Sequence, residues 1–241
     1  MLQTVCHLKE FISNQIEIPY LTGLLSLLLN KLPCTTPRLF EVSPCWNCST
    51  LHDTSQSMHC HQCKVLCAPP SQTNFFDLMQ QPKNFEIDLK NLSKIFRQLQ
   101  SQLHPDRYST REEQELNHSE NWSPLVNEAY STLMDPMRRA LYLLDIFGNP
   151  LLEGDQPVLD PEFLMDIMEF NEEVDEVISK EDIADLRDKI RTELERLHNE
   201  LKEEFSQQNT GSAKIVVAKM QYYHNLRYKV KDKELELGIV D

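Results

Sequence analysis

Beyond residue 73 the apolar positions recur at intervals of three and four, the mark of amphipathic helices. Residues 74–80 are short and apolar (Phe75, Phe76, Leu78, Met79) and stop before Pro82. Leu89, Leu92, Phe96, Leu99 and Leu103 share one face of a helix that Asp88 can cap. His104-Pro105-Asp106 breaks it, and the polar run after it predicts a loop to about residue 121. A helix is predicted over 124–134, with Leu125, Ala129 and Leu133 in step. Asp135 then Pro136, an N-cap before proline at the first helical position, starts another. It runs to about Phe147 and stops at Gly148.

The last third repeats the pattern. Asp160-Pro161 opens a helix over 161–178. Ile183, Leu186, Ile190, Leu194, Leu197, Leu201 and Phe205 predict a second over 182–205. Asn209-Thr-Gly-Ser212 reads as a turn, and Ser212 can cap a last helix to about residue 231. Three antiparallel helices with short connections make a small bundle. Strands are expected, if anywhere, in the segment before residue 73.

Composition narrows the function classes. Only 5 of 241 residues are glycine, and neither GxGxxG nor GxxxxGK[ST] occurs, so the common nucleotide cradles are missing. The formal charge is −14, which argues against nucleic-acid binding. The charge is local. Ten acids and no base lie between Glu153 and Glu176.

The seven cysteines are local too, all within residues 6–67. A disulfide-stapled fold would spread them. Cys45-Trp-Asn-Cys48, eleven residues, then Cys60-His-Gln-Cys63 is CxxC-x11-CxxC. Two such turns aim four thiolates at one tetrahedral ion, so Cys45, Cys48, Cys60 and Cys63 are read as ligands of one structural zinc. A redox pair or an iron site are the alternatives. Cys67 is spare, and His52, His59 and His61 are near enough to be alternative ligands. Residues 42–73 are taken as this zinc-binding segment.

Residues 1–41 form a leader to which no role is assigned. Its apolar stretch, 21–32, is too short to span a bilayer. Its first arginine is Arg38, unlike a mitochondrial presequence. No membrane association is expected.

The helix over 161–178 carries two faces. With Phe163 set at zero on a helical wheel, Ile167, Phe170, Val174, Val177 and Ile178 fall within about 60° and form a core stripe. Leu164, Met165 and Met168 fall off that stripe, beside Glu169, Glu172 and Glu176. A solvated face explains the glutamates but not the leucine and two methionines. The face suits a partner that is apolar at its centre and basic around it.

His104-Pro105-Asp106 alone is a weak tripeptide. Its setting is more specific: a helix with Lys94 and Arg97 before it, then a polar loop, then Leu125-Val-Asn-Glu-Ala-Tyr-Ser-Thr-Leu133 and Asp135-Pro136-Met-Arg138-Arg139-Ala140-Leu-Tyr142. Residues 74–148 in this order resemble the J domain of DnaJ-type co-chaperones. The unit passes directly into the acidic three-helix segment, 149–241, without a Gly/Phe-rich linker. With the paired CxxC turns in front, residues 45–241 resemble the HscB-type iron–sulfur cluster co-chaperones of animal mitochondria. Residues 1–41 depart from that family's arginine-rich leader.

The resemblance implies an all-α protein: four-cysteine segment, helical J domain, and C-terminal three-helix scaffold-binding domain. It implies a non-enzymatic co-chaperone. His104, Pro105 and Asp106 would dock on a DnaK-type mitochondrial ATPase chaperone and stimulate its ATP hydrolysis, with Lys94 and Arg97 meeting the same partner. Leu164, Met165, Met168, Glu169, Glu172, Glu176 and Tyr222 would receive an IscU-type cluster scaffold protein, whose cluster passes to iron–sulfur recipient proteins. The implied compartment is the mitochondrial matrix, and the atypical leader leaves room for a cytoplasmic pool. A general folding co-chaperone with other clients is the main alternative. A zinc-dependent hydrolase using His104 and Asp106 is the more distant one, because four cysteines leave zinc no open position.

Overall fold

The computed structural model describes residues 42–53, 57–152, 154 and 157–238. The leader expectation for residues 1–41 lies outside them. Residues 41–241 form one compact unit. Two short strands, β1 (Val42–Pro44) and β2 (Leu51–Asp53), pair antiparallel with Ser43 opposite His52. They lie in the cysteine segment, where strands are expected. Helices make up the rest: α1 (Phe75–Leu78), α2 (Leu89–Leu103), α3 (Glu113–Met134), α4 (Pro136–Ile146), α5 (Pro161–Glu176), α6 (Lys180–Ser206) and α7 (Thr210–Glu236).

Side-chain caps set most of the helix starts. Asn74, Asp88, Asp135, Ser179 and Asn209 each accept hydrogen bonds from amides of the first turn. Such a cap is worth about 1 kcal/mol. The last helix thus begins at Thr210 under Asn209, not under Ser212, and Ser212 instead donates its amide to Asn209 Oδ1 at 3.3 Å. That helix also continues to Glu236, past the expected end.

The largest departure from the periodicity is α3. It starts at Glu113, where a loop is expected, and Pro124 lies inside it rather than at its start. Its buried positions are Glu115, Ser119, Trp122, Val126, Ala129, Thr132 and Leu133, along one face of the helix. The first two are polar, so the apolar pattern does not reveal them. Both are satisfied by distant backbone. Ser119 Oγ donates to the Leu103 carbonyl at 2.6 Å, and the Leu66 amide donates to Glu115 Oε1 at 3.0 Å.

A second departure is Ile178. Helix α5 ends at Glu176, with Val177 as its C-cap. A 100° step no longer applies beyond that point, and Ile178 is 84% exposed instead of joining the core stripe.

Helix α3 packs on α1, α2 and α4, and α7 packs on α4, α5 and α6. One hydrophobic core runs through both groups. Phe85 is fully buried at the joint, 5.6 Å from the Phe205 ring and 4.9 Å from the His198 ring, with the Arg139 guanidinium 5.1 Å from its centre. Glu86 and Lys202 pair across the same joint. No helix among the described residues is long and apolar enough to cross a membrane.

Candidate functional site

The two CxxC turns are copies of each other. The Cys45 amide donates to the Thr50 carbonyl at 2.9 Å and the Ser49 amide to the Cys45 carbonyl at 2.9 Å. Fifteen residues on, Cys60 donates to Val65 and Lys64 to Cys60, both at 3.0 Å. Ser49 and Lys64 carry the positive φ, 58° and 62°, that folds each turn back. Within the turns, all four sulfurs lie within 4.8 Å of one another, and all four cysteines are free.

Cys45 and Cys63 sulfurs are 3.6 Å apart, as are those of Cys48 and Cys60. A zinc tetrahedron with bonds near 2.3 Å needs about 3.8 Å between sulfurs, so the donor set fits one metal ion. Four thiols this close compete for ionisation. The Thr50 hydroxyl and amide draw Cys48 down to about 6. Against a backbone hydrogen bond from Val65, burial and the three neighbouring thiols push Cys63 up to about 11. A dication among them would favour the thiolate at every position. Cys67 is buried outside this set, and burial raises its thiol.

The copies differ just after the second cysteine. Leu51 is 65% exposed, whereas its counterpart Leu66 is fully buried in the helical core. Leu66 is held by its amide on Glu115 and by the Trp46 indole, which donates to its carbonyl at 2.9 Å. Trp122 of α3 donates to the Cys67 carbonyl at 2.8 Å. The cysteine segment is therefore fastened to α3. Periodicity alone misses these anchors. The only signal for them is the offset of fifteen that aligns Leu51 with Leu66, together with a tryptophan in an otherwise polar run.

His104 is the C-cap of α2, and Pro105–Arg107 is a single 3-10 turn. The Asp106 amide donates to His104 Nδ1 at 3.3 Å, and the two side chains lie 3.4 Å apart at their closest. The Asp106 side chain is 89% exposed. Arg107 pins the turn by donating to the Ser101 carbonyl at 3.0 Å, and the Tyr108 hydroxyl donates to the Gln102 carbonyl at 3.2 Å. Lys94 and Arg97 are exposed on α2, three residues apart and hence on neighbouring faces. The tripeptide is thus a fixed projection carrying an acid beside a histidine.

On α5, Phe163, Ile167 and Val174 are buried, while Leu164, Met165 and Met168 are 38%, 62% and 64% exposed. Among the described residues no other helix covers these three. Glu169, Glu172 and Glu176 are exposed around them, with no ion-pair partner among the described residues. Two other acids of the helix are paired, Glu173 with Lys189 at 2.7 Å and Asp175 with Lys229 at 2.8 Å. Tyr222 of α7 is 38% exposed and meets the edge of Phe163, ring centres 5.9 Å apart. Ile215, seven residues before Tyr222 and also exposed, adds an apolar position on that side of α7. Tyr222 is thus brought to α5. The cysteines and the His104–Asp106 projection are separate features of the same unit.

Several known proteins are similar to this chain. A family model described as the HSCB C-terminal oligomerisation domain matches residues 159–231. The human protein named iron–sulfur cluster co-chaperone protein HscB is 33% identical over 195 residues, 80% of this chain and 83% of that one. A Burkholderia multivorans co-chaperone protein HscB homolog is 35% identical over 51% of this chain and 74% of its own. The crystal structure of human HscB superposes with a TM-score of 0.75 at 33% identity, covering 80% of this chain and 99% of that one. HscB from Vibrio cholerae superposes with a TM-score of 0.61 at 31% identity, covering 68% and 99%. Fold, length and sequence agree over most of both chains, and this chain belongs to the HscB family of iron–sulfur cluster co-chaperones.

Proposed function

We propose that this chain delivers a cluster-loaded scaffold protein to a DnaK-type ATPase chaperone, stimulates that chaperone's ATP hydrolysis, and so promotes cluster transfer to recipient proteins. The observation that carries the reading is a pair of unlike exposed features on one compact unit. One is the His104–Asp106 projection. The other is the uncovered apolar–acidic face of α5.

The chemistry of each feature suits its assigned partner. Asp106 presents a carboxylate on a proline-fixed turn, where a chaperone cation can pair with it. Lys94 and Arg97 add charge that speeds encounter with an acidic chaperone face. Leu164, Met165, Met168 and Tyr222 offer adaptable apolar contact to the scaffold. Glu169, Glu172 and Glu176 select for a basic rim on it.

The domain reading that goes with this function is 42–73 as a zinc clip, 74–148 as a J domain and 149–241 as the scaffold-binding bundle. Cys45, Cys48, Cys60 and Cys63 hold a structural zinc, which organises a segment too short to build its own core. In this reading the protein works in the mitochondrial matrix.

The deciding experiment is ATPase stimulation by purified full-length chain, with and without scaffold. Wild type is expected to stimulate the chaperone, and more strongly with scaffold present. Asp106→Asn is expected to abolish stimulation with the fold intact. Full stimulation by Asp106→Asn would defeat the assignment.

A further inference from the structure

Between the second cysteine turn and the segment after Asp106 lies a cleft of about 230 Å³, lined by His59, Lys64, Gln102, Arg107, Tyr108 and Arg111. Three of the six are formal cations and none is an acid, in a chain of net charge −14. The two arginines are placed there by specific contacts. Arg107 donates to the Ser101 carbonyl at 3.0 Å. The Arg111 guanidinium lies 5.2 Å from the centre of the Tyr108 ring and pairs with Glu115 at 3.2 Å. Glu115 offsets Arg111 and leaves Lys64 and Arg107 in excess.

Lys64 is the informative member. It is exposed, with no ion-pair partner among the described residues, and its φ is 62°. Glycine or asparagine would occupy that backbone region at less cost. The equivalent position of the first turn holds Ser49, so the turn does not require lysine in order to form. What the lysine adds is charge, at the one turn that faces Arg107.

We propose that this cleft is a second docking point for the ATPase chaperone, receiving carboxylates of that partner beside the His104–Asp106 projection. The proposal rests on the reading of that projection as the chaperone-binding loop. Arg107 directly follows Asp106, so a partner seated on Asp106 stands next to the cleft. Lysine and arginine converging on one concave site pair best with oxyanions. An acidic partner surface is the same chemistry that Lys94 and Arg97 would meet on the helix before the projection. The cysteine segment then does more than fold: Cys63 fixes the residue that completes a binding surface.

The test is stimulation of the chaperone ATPase against concentration of the full-length, zinc-loaded chain, at low and high salt. Lys64→Glu is expected to raise the half-maximal concentration roughly tenfold at low salt, keep the plateau, and lose the difference at high salt. Lys64→Gly relaxes the backbone while removing the charge, and is expected to raise it roughly threefold with unchanged zinc content. It carries the test should Lys64→Glu lose metal. An unchanged half-maximal concentration for both variants, with wild type active and Asp106→Asn inactive, overturns the cleft and leaves the loop assignment standing. A wild type that does not stimulate overturns both. Perturbation of the Lys64 and Arg107 amide signals by inorganic phosphate, with no effect of either variant on stimulation, marks a phosphate site and overturns the carboxylate assignment.

Discussion

Trp122 donates its indole N–H to the Cys67 carbonyl at 2.8 Å, across 55 residues of chain. The indole is 2% exposed, so no water replaces that bond if it is lost. Trp122→Phe keeps most of the apolar volume and removes the donor. It is expected to destabilise the protein by about 1–3 kcal/mol, the cost of a buried carbonyl left without a partner. Urea unfolding followed by circular dichroism measures it, and an unchanged midpoint would show that the bond contributes nothing net.

Leu66 makes the complementary apolar anchor. It is fully buried among the helices, and its amide is the one that Glu115 accepts. Leu66→Ala is expected to cost about 2–5 kcal/mol. Removal of the proposed zinc by a chelator should release the same anchor, because the turn that carries Leu66 would lose its tetrahedral tie. Thermal unfolding before and after chelation checks this. A drop in Tm is expected for wild type, and a much smaller further drop for a chain already carrying Leu66→Ala.

These anchors mark the limit of what the residue pattern reveals. Helices α5 and α6 are legible because each buries an apolar stripe, and α7 is legible as far as Val230, beyond which its buried face closes with Glu234. The first half of α3 is not, since its buried face opens with Glu115 and Ser119. Their partners are backbone groups of Leu66 and Leu103, 49 and 16 residues away, and no local rule places them there. Pro124 misleads in the same region, because proline favours a first turn but is here tolerated inside a helix. The cluster of four cysteines is legible because spacing alone encodes it. The exposure of Ile178 is not, because it depends on α5 ending two residues earlier.

Stability is expected to fall between pH 7 and pH 5. His198, His118 and His224 all have their imidazoles held below the usual value, in each case chiefly by burial. For His198 the Glu86 carboxylate opposes this, while Arg139 and Lys202 reinforce it. The unfolded chain therefore binds these protons first, near pH 6.5. The contribution is fully present above that pH and is lost as pH falls from there through the folded-state values. His198 sits 4.9 Å from Phe85 at the joint between the two helix groups. His198→Gln should flatten the fall in urea midpoint between pH 7 and 5.5. An identical slope in that variant would show that His198 does not contribute to it.

The exposed face of α5 allows the proposed scaffold binding to be tested apart from folding. Leu164, Met165 and Met168 are exposed, while Phe163, at 8% exposure, packs on Tyr223 with ring centres 6.1 Å apart. Changing the three residues together to alanine removes apolar area that is mostly exposed at Met165 and Met168 and partly covered at Leu164. Each change is expected to alter stability by no more than about 0.5 kcal/mol. Retention of the cluster scaffold should nevertheless fall by at least roughly tenfold, as expected when adjacent contacts at an interface centre are removed. Basal stimulation of the chaperone, assigned above to Asp106, should stay at the wild-type level. Phe163→Ala is the contrasting case: it costs about 3–5 kcal/mol and should impair binding through loss of structure. Glu169→Gln, Glu172→Gln and Glu176→Gln combined should slow scaffold association and flatten its salt dependence while leaving dissociation nearly unchanged. Surface-based binding kinetics on the purified proteins resolves these cases. Scaffold binding by the triple alanine variant at wild-type affinity would remove α5 from the interface.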